Sequence, residues 1–271
     1  MKKDILSKTK SYYKPEDELA QVPFMIELRN VIKNFNGHRV LNDISLKVER
    51  AKTLAVIGPS GCGKSTLLRL ILGLFPPTSG RVIVAGQDIT QLDPEGINVI
   101  RQHIGMVFQS SALFDSLTVG ENVSFGLREH LDLSEKEIAD VVSQKLELVG
   151  LKGIENLMPS ELSGGMQKRV SLARAIATNP EIILYDEPTT GLDPITAVAI
   201  ENLIRDLHKM FNITSVVVTH MLSTVYHIAD RIVMLHDGVI LEAGTVEETK
   251  RSTNPTIREF VTAGFATTEQ K

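Results

Sequence analysis

The chain has 271 residues, 42 % of them hydrophobic, which is enough to form the core of one large domain or of two small ones. Its formal net charge of −4 gives no overall basic field, so nucleic acid is not an expected partner. The single cysteine, Cys62, excludes an internal disulfide and a zinc site built from several cysteines, and it favours a reducing compartment. No apolar run approaches the roughly 20 residues that span a bilayer, so we expect any membrane role to come through a partner protein.

Residues 1–24 are predicted to form a polar tail without the apolar segment of a signal peptide. We interpret this tail as solvated; the alternative is a weak attraction of its lysines to anionic lipid, worth about 1 kcal/mol for each lysine. The lysines of this tail are Lys2, Lys3, Lys8 and Lys10.

Two strands follow the tail, over 25–31 and 40–48, and Asn36-Gly37 predicts the turn that joins them as an antiparallel pair.

Residues 58–66 read Gly-Pro-Ser-Gly-Cys-Gly-Lys-Ser-Thr and match the phosphate-binding pattern G-x-x-x-x-G-K-[ST]. An apolar strand over 53–57 precedes the loop and an apolar helix over 67–74 follows it, which is the context that this pattern requires; the alternative is a chance match. Lys64 is expected to reach the β- and γ-phosphates, and the Ser65 hydroxyl is expected to bind Mg²⁺. Cys62 occupies a position that the pattern leaves open and is expected to be chemically idle. The predicted nucleotide contacts are Gly58, Pro59, Ser60, Gly61, Cys62, Gly63, Lys64, Ser65 and Thr66.

The rest of the chain alternates strands and helices, except for a stretch over about 110–179 that is predicted to be entirely helical. Its clearest helix covers 134–149, because Ser134 and Glu137 form a capping box and Gly150 supplies a stop. We therefore predict an α/β core of residues 25–109 and 180–244, interrupted by a helical insertion, with a C-terminal tail from 251. The other predicted strands cover 81–85, 105–108, 181–185, 213–219, 231–235 and 239–242; the other predicted helices cover 93–104, 118–128, 162–178, 245–250 and 255–261, and one begins at Pro194 after its cap, Asp193.

Polar side chains stand where several of these strands end. Asp186 and Glu187 close an apolar strand, so Asp186 is expected to face the magnesium ion beside Ser65. Glu187 is expected to act as general base on the attacking water, a role worth about 10²–10⁴ in rate. His220 is expected to bond the γ-phosphate and this water, and Gln109 to contact both metal and water. The alternatives are surface acids capping a turn, a structural histidine and a surface amide.

A second anion-binding helix start follows at Leu162-Ser163-Gly164-Gly165-Met166. By itself this stretch is equally a glycine-capped helix start. Two anion sites beside one pair of catalytic acids predict that each chain completes the site of another chain. Two chains packed head to tail would then enclose two nucleotides.

Taken together, these motifs resemble the ATP-binding cassette (ABC) ATPases over about residues 25–244. The resemblance implies a P-loop NTPase (RecA-like) core with an N-terminal antiparallel β-subdomain and an inserted α-helical signature subdomain. It also implies ATP and Mg²⁺ as cofactors, a homodimer in which Ser163 and Gly165 contact the γ-phosphate on the opposite subunit, and communication across the dimer through Asp193. Phe35 stands where an aromatic residue stacks on adenine, and tyrosine is commoner there. The implied metal contacts are Ser65, Gln109 and Asp186, and the implied catalytic residues are Lys64, Gln109, Glu187 and His220.

The stretches 108–116, 159–166 and 193–196 are similar to the ATPase subunits of Mla/MCE-type lipid transporters, and Met166 favours this subgroup. The resemblance implies a membrane permease, an MCE-domain lipid-binding protein, a small cytosolic regulator as a further partner, and a position on the cytoplasmic face of the inner membrane. Two rivals remain: an importer ATPase for another cargo such as amino acids, and a soluble cassette ATPase of DNA repair or translation. A nucleotide-binding regulator without turnover is a third.

Two apolar segments have open interpretations. Residues 112–114 belong either to the core or to a groove for a permease helix, in which case a nucleotide contact at Gln109 would alter the position of the partner. Residues 255–264 dock either on the chain's own core or on a neighbouring protein.

Overall fold

A computed structural model describes residues 16–19 and 21–266. Within that part of the chain, the first sheet is antiparallel, with strand order β2-β1-β4-β5. The hairpin between β1 and β2 turns at Asn36 and Gly37, where both residues have positive φ, as the sequence predicts. Strand β1 is longer than predicted because its pairing with β2 continues to Phe35. The strands are β1 (Phe24–Phe35), β2 (His38–Glu49), β4 (Ser79–Val84) and β5 (Gln87–Asp88).

The second sheet has the order β10-β9-β3-β8-β7-β6, again within the described residues. All neighbours are parallel except β10, which forms a hairpin with β9 that turns at Asp237 and Gly238, both with positive φ. Strand β3 is buried on both faces, which explains its continuous apolar sequence. The strands are β3 (Thr53–Ile57), β6 (Ile104–Val107), β7 (Ile182–Asp186), β8 (Thr214–Val218), β9 (Arg231–His236) and β10 (Val239–Gly244).

The helices pack on both faces of this sheet and form the insertion. Alternate residues of β3 belong to two clusters: Leu54 and Val56 pack with α2, whereas Ala55 and Ile57 pack with α8 and α10. In the insertion, α4, α5 and α6 pack on one another, and α6 also packs on β6. The helices are α1 (Glu16–Leu19), α2 (Lys64–Ile71), α3 (Pro94–Gln102), α4 (Val119–His130), α5 (Glu135–Leu148), α6 (Gly164–Ile176), α7 (Pro194–Phe211), α8 (Leu222–Ile228), α9 (Val246–Lys250) and α10 (Pro255–Ala266).

Both ends of the folded region lie outside the predicted limits of 25 and 250. Leu19 and Val22 are buried in the main core, and the Arg50 guanidinium donates a hydrogen bond to the Leu19 carbonyl. These residues therefore correct the prediction of a tail up to residue 24; the tail lysines, for which attraction to lipid was the alternative, lie outside the described residues. At the other end, Ile257 and Val261 are buried against α8, so residues 255–263 dock on the chain's own core. Among the described residues, no helix is both long and apolar enough to cross a bilayer.

Candidate nucleotide-binding site

Four neighbouring parallel strands bring the predicted catalytic residues to one edge of the sheet. Strands β3, β8, β7 and β6 are adjacent in this order, about 4.8 Å apart. Their carboxyl ends lead into the phosphate loop 58–66, His220, the pair Asp186 and Glu187, and Gln109, respectively. Since the carboxyl ends of parallel strands meet at one edge, residues that are far apart in sequence become neighbours there.

The phosphate loop packs closely on the neighbouring strand β9. At Gly58, φ is 149°, and a Cβ atom would lie 2.2 Å from the Leu235 carbonyl oxygen, so only glycine fits. Gly63, with φ of 107°, precedes the first turn of α2. The ammonium of Lys64 is buried and donates to the carbonyls of Gly58, at 2.8 Å, and of Pro59, at 2.9 Å. A cation is therefore held at the mouth of a glycine-lined helix N-terminus, which is the charge and geometry that a polyphosphate requires.

The Ser65 hydroxyl and the Asp186 carboxylate meet, as the metal-site prediction requires. The hydroxyl donates to Asp186 Oδ1 at 3.0 Å. Burial raises the pKa of the Asp186 carboxyl; the Ser65 hydrogen bond opposes this shift, and the negative charge of Glu187 adds to it. These hard oxygen donors fit Mg²⁺, which is commonly held by one or two carboxylates together with phosphate oxygens. The described residues contain no cluster of three or more His, Cys, Asp and Glu that could hold a metal.

Hydrogen bonds tie both the carboxylate and the backbone N–H of Glu187 to its surroundings. The residue is 8 % exposed, and its φ of 49° lies in the left-handed region. Oε1 lies 3.0 Å from His220 Nδ1, while Oε2 accepts hydrogen bonds from the hydroxyls of Thr219, at 2.8 Å, and Thr190, at 3.0 Å. Its own N–H donates to the Val218 carbonyl at 2.9 Å. The sequence prediction brought Glu187 and His220 together but missed both threonines, whose only signal is that each lies beside a motif.

The signature stretch forms the start of α6, two residues later than predicted. The Ser163 hydroxyl caps the helix by accepting from the Met166 N–H at 3.3 Å. A Cβ atom on Gly165 would lie 2.8 Å from Thr196 Cγ2, so the signature turn packs against the first turn of α7. Asp193 caps that turn, as predicted, and its hydrogen bonds, the one with Thr196 foremost, lower the pKa of the carboxyl. Leu162 is buried beneath the turn, and Gly164 is exposed.

The family model described as ABC transporter matches residues 41–190, more than half of the chain. The chain belongs to the ABC transporter family. It carries the ATPase domain of that family, and its fold is the expected P-loop core with an antiparallel β-subdomain and a helical insertion.

Similar proteins come from bacteria and from plants. The intermembrane phospholipid transport system ATP-binding protein MlaF of Haemophilus influenzae is 42 % identical over 88 % of this chain and 90 % of its own length. The chloroplastic protein TRIGALACTOSYLDIACYLGLYCEROL 3 of Arabidopsis thaliana is 46 % identical over 89 % of this chain and 74 % of its own length. A solved dimeric ATP-binding cassette in a post-hydrolysis state, bound to ADP and Pi, has a TM-score of 0.76 and 35 % identity, and covers 82 % of this chain and 99 % of its own.

In this ABC transporter ATPase, two basic residues of the signature helix hold the segment that follows β6. The buried Lys168 ammonium donates to the carbonyls of Phe108, at 3.2 Å, and Gln109. Arg174 donates to the carbonyls of Ser111, at 2.9 Å, and Ala112, at 2.7 Å. Burial lowers the pKa of Lys168, opposed by the charges of Asp186 and Glu187. The sequence prediction missed this connection, although a lysine and an arginine on a largely buried helix were a signal for it.

The 112–114 segment divides between the two interpretations that the sequence left open. Leu113 packs partly on the core of the insertion. Phe114 is 44 % exposed, and its ring lies 4.8 Å from that of Phe125, which is also exposed. An apolar surface therefore lies directly after Gln109, whose own position is exposed at the end of β6.

Two further residues predicted to contact nucleotide lie in contrasting surroundings. Phe35 is 40 % exposed at the end of β1, with its ring 5.3 Å from Phe75 in an edge-on arrangement and 4.8 Å from the Lys33 ammonium. Its stacking on adenine stays a prediction. Cys62 is half-buried, and burial raises the pKa of its thiol, which favours the protonated form over the nucleophilic thiolate.

Proposed function

We propose that this chain is the ATP-hydrolysing subunit of a transporter that moves phospholipid, and that it works as a homodimer at the cytoplasmic face of the inner membrane. Its proposed partners are a multi-spanning permease and an MCE-domain lipid-binding protein, with a small cytosolic regulator as a further subunit. The supporting observation for the cargo is that a relative named for intermembrane phospholipid transport matches nearly the whole chain. A second relative of similar extent is named after a galactolipid.

Hydrolysis follows from the side chains at the sheet edge. Lys64 exchanges its carbonyl partners for the β- and γ-phosphates, so it stabilises charge at no cost in new desolvation. Ser65 and Asp186 would hold Mg²⁺, which would supply neutralisation of the phosphate charge. Glu187 accepts the proton of the attacking water. Because His220 donates to the Glu187 carboxylate through Nδ1, its Nε2 is the ring nitrogen left to face the γ-phosphate, and it donates there when the ring is the doubly protonated imidazolium.

The signature helix would complete this site in a second chain. Helix α6 packs on β6, and β8 and β7 lie between β6 and the phosphate-loop strand β3. Three strand spacings amount to about 14 Å, so a helix packed on β6 lies well apart, along the sheet, from the strand that leads into the phosphate loop of its own chain. The dimeric cassette that matches this chain supports such pairing. In the proposed dimer, Ser163 and Gly165 contact the opposite γ-phosphate, and Asp193 communicates between the two sites.

The Gln109 segment is proposed to transmit the nucleotide state to the permease. Its carbonyls are attached to α6 through Lys168 and Arg174, and the exposed Phe114 follows five residues later in the chain. Closure of the dimer would move α6, this segment and the apolar surface together, so the permease changes state with the nucleotide.

The function is tested on the intact complex. The chain is purified from membranes in detergent, and the proteins and lipids that accompany it are identified by mass spectrometry. We expect a multi-spanning permease, an MCE-domain protein and phospholipid, with ATP-dependent transfer of labelled phospholipid after reconstitution into vesicles. The same complex carrying Glu187→Gln is the matched control without turnover. Ribosomes or nucleic acid in place of a permease would contradict the proposal, as would ATPase stimulation by amino acids and not by lipid.

A further inference from the structure

We infer that Thr219 is a positioning residue for ATP hydrolysis, whose hydroxyl, together with that of Thr190, fixes the Glu187 carboxylate in the orientation it needs as a base. The inference deepens the proposed function and rests on its assignment of Glu187. Neither threonine is expected to touch the nucleotide; both act through Glu187.

The Thr219 hydroxyl has its hydrogen directed at Glu187. Thr219 is fully buried, and its Oγ1 lies 2.8 Å from Glu187 Oε2 and 3.1 Å from the Met221 N–H. The Met221 N–H occupies a lone pair of the hydroxyl, and an ionised carboxylate only accepts. The O–H of Thr219 is therefore committed as a charge-assisted donor to Glu187 Oε2.

Three consecutive residues, 218–220, each form a hydrogen bond with Glu187. Val218 binds the Glu187 N–H through its carbonyl, Thr219 binds Oε2, and His220 binds Oε1. These hydrogen bonds restrict Glu187, which has a left-handed backbone conformation and a side chain with three rotatable bonds. A general base must lie within hydrogen-bond reach of its water, so loss of one anchor at Oε2 costs rate even when ATP still binds.

The two threonines are not equivalent anchors. Thr219 directly follows β8 in the middle of the sheet, is fully buried, and donates its N–H to the Val56 carbonyl at 3.2 Å. Thr190 is half-buried and lies three residues before Asp193, which we propose communicates between the two sites. We therefore expect the loss of the Thr219 hydroxyl to have the larger effect, and the loss of the Thr190 hydroxyl a smaller one.

The test uses Thr219→Val, Thr219→Ser and Thr190→Val in the full-length chain in its transporter complex, with kcat and KM for ATP measured separately. Thr219→Val is expected to lower kcat about ten- to hundredfold, the value of a hydrogen bond to a charged group, with little change in KM. Thr219→Ser restores the donor and is expected to restore most of the rate. Thr190→Val is expected to lower kcat by a smaller factor.

Thr189→Val is the matched control. Thr189 is as buried as Thr219, but its hydroxyl lies 2.8 Å from that of Thr224 and does not contact Glu187. We expect this variant to keep the wild-type kcat. The inference is overturned if Thr219→Val keeps the wild-type kcat, if serine fails to rescue it, or if Thr189→Val is equally slow. If Thr219→Val does not fold, wild-type kcat in Thr190→Val overturns it. A folded wild-type complex without ATPase activity would contradict the proposed function, and this inference with it.

Discussion

The nucleotide edge of the sheet and the signature turn differ in how complete they are within one chain. At the sheet edge, side chains from different strands already bond to each other, as Ser65 does to Asp186 and Glu187 to His220. At the signature turn, Ser163 caps its own helix, and Gly165 packs on the helix that follows Asp193. In the first region, which we call the catalytic half, the predicted catalytic residues already contact one another, whereas the second presents its predicted contact groups at a helix start. The difference agrees with the proposal that chemistry is prepared within one chain and that ATP joins two chains.

The largest effect is expected from Lys64→Ala, which removes the buried cation of the catalytic half. The loop would keep its glycines but lose the charged side chain that we propose contacts the β- and γ-phosphates. We expect ATP turnover to fall to background in a phosphate-release assay on the purified complex.

Lys152→Ala is the control for this loss of charge, because Lys152 is a highly exposed lysine in the helical insertion. It should leave turnover unchanged. Full activity in Lys64→Ala would show that the phosphate loop is not where nucleotide reacts.

A smaller loss is expected from Gly58→Ala, which tests how closely the phosphate loop is packed on β9. The new Cβ would meet the Leu235 carbonyl oxygen at 2.2 Å, so either the loop or the strand must shift. Strain of this kind costs about 1–3 kcal/mol, and we expect a lower Tm together with weaker ATP binding by fluorescence titration.

Gly61→Ala is the control that separates the strain of a positive φ from the close contact with Leu235. Gly61 also has positive φ, at 81°, but nothing lies within 4 Å of its added Cβ. Equal losses in Tm for the two variants would show that backbone conformation, and not the approach to Leu235, explains the glycine.

Sequence patterns predicted the residues of this catalytic half better than the contacts that hold those residues in place. The turn residues, the Ser134 capping box and the Asp193 cap are short-range signals, and each is confirmed. Helix α8 was missed because it is short and β-branched, although Leu222, Val225 and Ile228 recur every three residues on its buried side. The Thr219 and Lys168 contacts join residues more than 30 positions apart, so they depend on strand order and packing that no local pattern records.

The smallest effect concerns the stability of the catalytic half without nucleotide. Burial raises the pKa of the Asp186 carboxyl, so the folded state holds this proton more tightly than the unfolded chain does. The stability that the bound proton contributes is therefore complete below the pKa of Asp186 in the unfolded chain. It is lost as pH rises through the pKa of Asp186 in the folded state. Asp186→Asn stays neutral, and we expect a higher Tm than wild type at pH 7 that converges with wild type below about pH 4.

Asp206→Asn provides the matched exposed substitution, since Asp206 lies on the outer side of α7. It should leave Tm nearly unchanged at both pH values. If Asp186→Asn is no more stable than wild type at pH 7, then burial of the charged Asp186 carboxylate does not destabilise the folded state. The buried carboxylate would then give no support to a cation site.

The shared catalytic site is tested most directly by mixing two inactive chains. One carries Ser163→Arg and the other Glu187→Gln, so a mixed dimer has one site with an intact Glu187 facing an intact signature. Random pairing makes half of the dimers mixed, each with one intact site, so the mixture should regain up to about a quarter of the wild-type ATPase activity. If activity stays at background at every mixing ratio, although ATP still pairs the two chains in the complex, then each chain completes its own site and the account is wrong.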